Sequence, residues 1–169
     1  TFTYTGTLTV DDTYRFGGSG DLTLDTELSG ASSMKIDGQG TEGSSVTFAR
    51  ENAFAGDITA GGGMELAEPN SKGQINIHAG HSNALAAASS LVLNKGAVLH
   101  TDGNDICVQN LTANAGSLIR NEGTSSGNLL LRVTEGTSTT IADGVLVDSA
   151  DTSALHLVKT GKGTLTMAT

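Results

Sequence analysis

Four histidines, one cysteine and 18 acidic side chains are the groups that could do chemistry in this chain of 169 residues. Zinc requires imidazole, thiolate or carboxylate ligands that converge within bonding distance. His78 and His81 are three positions apart, but the alternation of Ile75 and Ile77 and the nearby Gly80 put them at the end of a strand. His100 and His156 lie far along the chain, so each histidine is expected to be solvated or turn-bonded, and no metal site is assigned. Calcium needs several oxygens in one loop. The closest run is His100-Thr101-Asp102-Gly103-Asn104-Asp105, with Asp148-Ser149-Ala150-Asp151 further on. Neither follows an EF-hand loop or the glycine-rich nonapeptide of calcium-binding rolls. Asp and Asn also favour turns by bonding their own backbone, the role expected of Asp102 and Asp105.

Catalysis needs convergence too. An inverting glycosidase sets two carboxylates ~6.5–9.5 Å apart. Asp102 or Asp105 could be paired with Asp143 or Asp148 from a neighbouring layer, but nothing in the sequence puts them on one face. No serine nucleophile is expected. Cys107 sits in the alternating run Asn104-Asp105-Ile106-Cys107-Val108 and reads as a buried, inert thiol. As the single cysteine it excludes an intrachain disulfide. Arg50, Arg120 and Arg132 read as isolated surface charges. Aromatic platforms for sugar are few, Tyr4, Tyr14, Phe16 and Phe48 being the candidates, and those near the amino end are expected to cap or pack the first layer. The expectation is no enzyme: no catalytic residue, cofactor-binding residue or metal ligand is assigned.

The elements that would have to position such groups are strands. A turn rich in Gly or Ser precedes alternating apolar residues in Gly6-Thr7-Leu8-Thr9-Val10, Gly20-Asp21-Leu22-Thr23-Leu24, Ser45-Val46-Thr47-Phe48 and Gly163-Thr164-Leu165-Thr166-Met167. Period two marks a strand with one buried face. Further strands are expected around Met34–Ile36, Ile58, Met64–Leu66, Ile75–Ile77, Leu91–Leu93, Val98–Leu99, Ile106–Val108, Leu111, Leu118–Ile119, Leu129–Val133, Ile141, Val145–Val147 and Leu155–Leu157. Their spacing of about ten residues is that of an all-β chain. Ser82–Leu91, rich in alanine but without an apolar stripe, is expected to be a turn or one helical turn, with a two-turn helix as the alternative.

Two architectures fit this spacing. A sandwich would use Asp37-Gly38, Asp102-Gly103 and Asp143-Gly144 as hairpin turns between antiparallel strands. A parallel β-helix would stack like residues on the coil below, ~4.8 Å away. With 23 Gly, one Pro, no Trp and 4% aromatic residues, the interior must be narrow and aliphatic, which favours the solenoid. Glycines without a three-residue period exclude collagen, and a patterned 37% hydrophobic content excludes disorder.

The net charge of −9 argues against nucleic acid or an anionic lipid surface as partner. No apolar run approaches the ~20 residues of a membrane helix, and the opening Thr1-Phe2-Thr3-Tyr4 is expected to be strand, alternating where a signal peptide would show a basic segment and an apolar run. The chain starts and stops inside strand-like phrases. It is therefore expected to be one β-helix segment over 1–169, cut from a longer protein, whose open ends self-associate.

Three phrases carry a family resemblance. Asn52-Ala53-Phe54-Ala55-Gly56-Asp57-Ile58-Thr59-Ala60-Gly61-Gly62-Gly63-Met64-Glu65-Leu66 resembles the autotransporter-associated β-strand repeat. Leu157-Val158-Lys159-Thr160-Gly161-Lys162-Gly163-Thr164-Leu165-Thr166-Met167 resembles that repeat's opening, Lys-x-Gly-x-Gly-x-Leu-x-Leu. Asn83-Ala84-Leu85 with Ser90-Leu91-Val92-Leu93-Asn94-Lys95-Gly96-Ala97-Val98-Leu99 resembles the phrase that leads into the next coil. The resemblance covers about a third of the chain. It implies an all-β, single-stranded, right-handed parallel β-helix from an autotransporter passenger domain. It also implies export through the outer membrane of a Gram-negative bacterium to the cell surface or medium. The implied role is a rigid stalk or adhesion-type surface meeting a host protein or glycan, touching membrane only through a translocator barrel outside this chain. The alternative is a β-helical enzyme acting on polysaccharide or host glycoprotein.

Overall fold

Glycine, serine and asparagine interrupt the alternating phrases often enough that strands stay between two and six residues long. The structure, a computed structural model, describes residues 2–5, 8–9, 13–18, 20–38, 44–61, 74–147 and 153–168. Its strands in chain order are β1 (Phe2–Tyr4), β2 (Leu8–Thr9), β3 (Tyr14–Gly18), β4 (Gly20–Leu24), β5 (Leu28–Ser29), β6 (Met34–Gly38), β7 (Ser44–Phe48), β8 (Asp57–Ala60) and β9 (Ile75–Ala79). They continue with β10 (Ser90–Leu93), β11 (Ala97–His100), β12 (Ile106–Gln109), β13 (Leu111–Ala113), β14 (Leu118–Arg120), β15 (Gly127–Arg132), β16 (Ser138–Ile141), β17 (Leu146–Val147), β18 (Leu155–Thr160) and β19 (Thr164–Met167). No helix occurs among the described residues.

Every strand pairs in parallel with strands one coil away. One seven-stranded sheet runs β1-β4-β7-β9-β11-β14-β17 and a second runs β19-β16-β13-β10-β8-β6-β3. Between them lie β2-β5 at one end and β12-β15-β18 at the other. The chain is thus a parallel β-helix, and the antiparallel sandwich is not what the chain builds. The expected strand at Met64–Leu66 lies outside the described residues, as does Val10.

The core consists of columns. Leu22, Val46, Ile77, Leu99, Ile119 and Leu146 follow one another in register through the first sheet. Tyr14, Met34, Ile58, Leu91 and Leu111 do the same through the second. Ile106, Leu129 and Leu157 form the column of the third. Leu91, Leu99, Ile106 and Leu129 are fully buried, and each such side chain contributes ~1.5–3 kcal/mol relative to exposure. The amino-end aromatics do pack a coil: Tyr14 meets Phe54 edge-on at 5.6 Å and stacks on Phe16 at 6.0 Å.

Polar stitches hold the corners. Asn52 is buried, accepting from Leu28 N–H at 2.8 Å and donating to Ala84 C=O at 2.9 Å. Asn121, fully buried, accepts from the N–H groups of Gly103 and Gly123 and donates to the carbonyls of Ser125 and Ala154. Gly56 is required by contact, because a Cβ there would lie 1.5 Å from the Ser32 carbonyl oxygen of the coil below. The alanine-rich stretch forms successive turns, with Ala84, Ala86 and Ala88 N–H groups bonding His81, Asn83 and Leu85 carbonyls, as expected.

Candidate functional site

The outer face of the first sheet carries its own columns. Thr23, Thr47, His78, His100 and Arg120 are register partners from β4 to β14, and Asp21, Ser45 and Asn76 form the column two residues earlier. Parallel pairing sets adjacent strands ~4.8 Å apart, so two imidazoles in register must stack. The His78 and His100 rings do so, with centroids 4.4 Å apart and planes inclined by 12°.

Each ring is held by a different set of groups. Just beyond β11 the chain turns at Asp102, whose φ of 51° is left-handed, and Asn104 N–H closes the turn on Thr101 C=O at 2.8 Å. The Asp102 carboxylate reaches the coil below, with Oδ2 2.8 Å from His78 Nδ1. His100 Nε2 lies 2.9 Å from Asn76 Oδ1, and the Asn76 amide nitrogen donates to Ser44 C=O at 3.3 Å. With its amide oriented that way, Asn76 is an acceptor toward the ring, so His100 carries its proton on Nε2 and keeps a lone pair on Nδ1. That Nδ1 is buried without a hydrogen-bond partner and lies 3.1 Å from Glu122 Oε2. Arg120 Nη1 is 3.3 Å from the other Glu122 oxygen.

The two imidazoles titrate apart. The hydrogen bond to Asp102 raises the His78 pKa above its usual 6.5 against the opposing effect of burial, with the charges of Asp102, Glu122 and Asp21 adding to the rise. Burial lowers that of His100, and the neighbouring His78 lowers it further. Asp102 is correspondingly lowered by His78. His78, His100 and Asp102 together offer three ligand atoms all within 4.8 Å of one another. Among the described residues this is the group of three or more histidine, cysteine or acidic side chains close enough to hold a metal ion.

No protein-family model, curated protein or solved structure matches the chain. The site therefore has to be read from its own chemistry.

Sequence spacing singled out His78 with His81, whereas the fold pairs His78 with His100. His81 is turn-bonded as expected, its Nδ1 accepting from Asn83 N–H at 3.1 Å. His156 is exposed on β18 opposite Asn128. Asp105 accepts from Asn128 N–H at 2.9 Å and Nδ2 at 2.8 Å, and so stitches two coils. Asp143 is exposed in the turn after β16, and Asp148 lies outside the described residues. Cys107 is 7% exposed, and burial pushes its thiol pKa up, as fits an inert group. Tyr14 and Phe48 are core residues and provide no surface for a sugar ring. Arg50 is not isolated, since it pairs with Asp25 one coil below.

Gly123-Thr124-Ser125-Ser126-Gly127 carries Gly-x-Ser-x-Gly spacing, which the expectation of no serine nucleophile passes over. A nucleophile elbow joins a strand to a helix. Here the pentapeptide links β14 to β15, and Ser125 C=O is bonded by Asn121, so it is a corner of the coil. A groove of about 300 Å³ runs along Arg132, Thr134, Glu135, Thr160 and Lys162, where Lys162 and Glu135 pair at 3.3 Å. It contains neither imidazole nor thiol.

Proposed function

We propose that this chain is a rigid rod segment of an autotransporter-type passenger, displayed or released outside a Gram-negative bacterium, where its long faces make contact with a host protein or glycan. One observation carries the reading: the parallel ladder runs through both seven-stranded sheets with unbroken apolar columns inside. A solenoid of this kind adds stability coil by coil and offers an extended surface. The three phrases that resemble the autotransporter repeat support the placement. The surface is also acidic overall, at −9, which suits contact with basic or neutral groups.

The experiment pairs a glycan-release screen over polysaccharides and mucin with a binding assay on epithelial cells and immobilised mucin. Saturable binding without release of product is expected. Turnover of any glycan at catalytic concentrations would overturn the reading.

A further inference from the structure

We propose that His78, His100 and Asp102 bind one divalent transition-metal ion of the zinc type, with the Glu122 carboxylate beside it. The fold, not the sequence spacing, makes this site: β9 and β11 bring the two imidazoles into register and the turn after β11 returns Asp102 to them. Three donor atoms lie within 4.8 Å of one another, and rotation of the part-exposed His78 and Asp102 side chains turns them toward one ion at bonds of ~2.0–2.2 Å.

A second, independent feature points to a cation. The His100 side chain is 6% exposed, its Nε2–H is committed to Asn76, and its Nδ1 lone pair is left facing a Glu122 oxygen at 3.1 Å. Two lone pairs that close repel each other, and Arg120, 3.3 Å from the other Glu122 oxygen, offsets part of that repulsion without bonding the ring nitrogen. Protonating His100 would place a second positive charge against His78, which the 4.4 Å stacking opposes. A metal ion supplies the charge without that conflict, because it is shared by both rings and balanced by Asp102 and Glu122. The Nε2–H to Asn76 bond is also the outer contact that commonly fixes a metal-binding tautomer. Two imidazoles and a carboxylate select zinc, nickel or copper over calcium or magnesium, which prefer all-oxygen sites. His78 and Asp102 side chains are 29% and 34% exposed, so the ion enters from solvent and water completes its coordination. Binding displaces the proton that His78 Nδ1 shares with Asp102, so one proton is released where that site is protonated.

The test uses the untagged full chain, freed of metal with a chelator, titrated with zinc by calorimetry and monitored by thermal unfolding. One zinc per chain and a rise in melting temperature are expected, with calcium and magnesium giving no rise. Cobalt should give visible absorption bands of a tetrahedral or five-coordinate site. His100 is buried and its loss would disturb the coil, so the informative variants are the part-exposed His78→Gln and Asp102→Asn. Each should weaken zinc binding about tenfold or more and abolish the cobalt bands, while His156→Gln leaves both unchanged. Absence of saturable zinc binding, or binding unaltered in both variants, would overturn the proposal.

Discussion

At the scale of single residues, the His78–Asp102 pair makes stability depend on pH. In metal-free protein the His78 pKa lies above 6.5 and that of Asp102 below 3.8, each because of the other. For the raised imidazole, stabilisation is complete below 6.5 and is lost as pH rises through the folded value. For the depressed carboxylate it is present above 3.8 and is lost as pH falls through the folded value. Asp102→Asn should therefore lower the melting temperature most between those two usual values and least at pH 9, read by thermal melts across pH. His100 acts in the opposite sense to His78: with its pKa lowered, the unfolded chain takes up the proton first as pH falls through 6.5, which costs stability. The groups facing the two rings are Asp21, Asp102, Glu122 and Arg120 together with the rings themselves. Cys107 gives a simpler expectation. A thiol 7% exposed with a raised pKa should react with a thiol reagent at the rate of unfolding, and rapid reaction of the native protein would contradict its burial.

At the scale of elements, the columns make specific substitutions severe. Leu91 is fully buried between Ile58 and Leu111, so Leu91→Asp buries an unpaired carboxylate and should cost ~4 kcal/mol or more. Unchanged denaturant midpoints would refute the register of β10. Asn121→Ala orphans the N–H groups of Gly103 and Gly123 along with two carbonyls, and each buried orphan costs about 1–3 kcal/mol. Most strands were legible because the alternation of Leu, Val and Ile survives in short phrases such as Leu91-Val92-Leu93. Two were not. In β3, Tyr14-Arg15-Phe16-Gly17-Gly18, the aromatics stood out as sugar platforms or caps before they stood out as a strand, and in β5, Leu28-Ser29, two residues are too few to alternate. The histidine pair was illegible for a different reason. Groups that meet across one coil are separated by anything from 18 residues, for Gly103 and Asn121, to 33, for Asp57 and Ser90, so no fixed period points from His78 to His100. Only the pairing register supplies that.

At the scale of the whole molecule, stability accumulates along a stack, and the ends of the stack are its weak points. Phe2 is 63% exposed on β1, while Val158 and Met167, on β18 and β19, are 40% and 48% exposed. These strands have one paired side within the described sheets, and their exposed apolar side chains offer a surface that another copy can cover. The isolated chain should therefore associate as concentration rises, read by light scattering, and a monomer at every concentration would count against it.

Successive coils lie in parallel register, with Thr23 of β4 directly beside Thr47 of β7 on the outer face. Adjacent parallel strands hold such partners ~4.8 Å apart, within the Cα separation of ~4.4–6.8 Å that a disulfide spans. In a Cys107→Ser background, mild oxidation of Thr23→Cys/Thr47→Cys is predicted to give a rapid intramolecular cross-link without loss of folding. Thr23→Cys/His78→Cys, two coils apart, should give none. A failure of the first pair to close, or equal closure of both, would contradict the parallel solenoid and with it the site that the register creates.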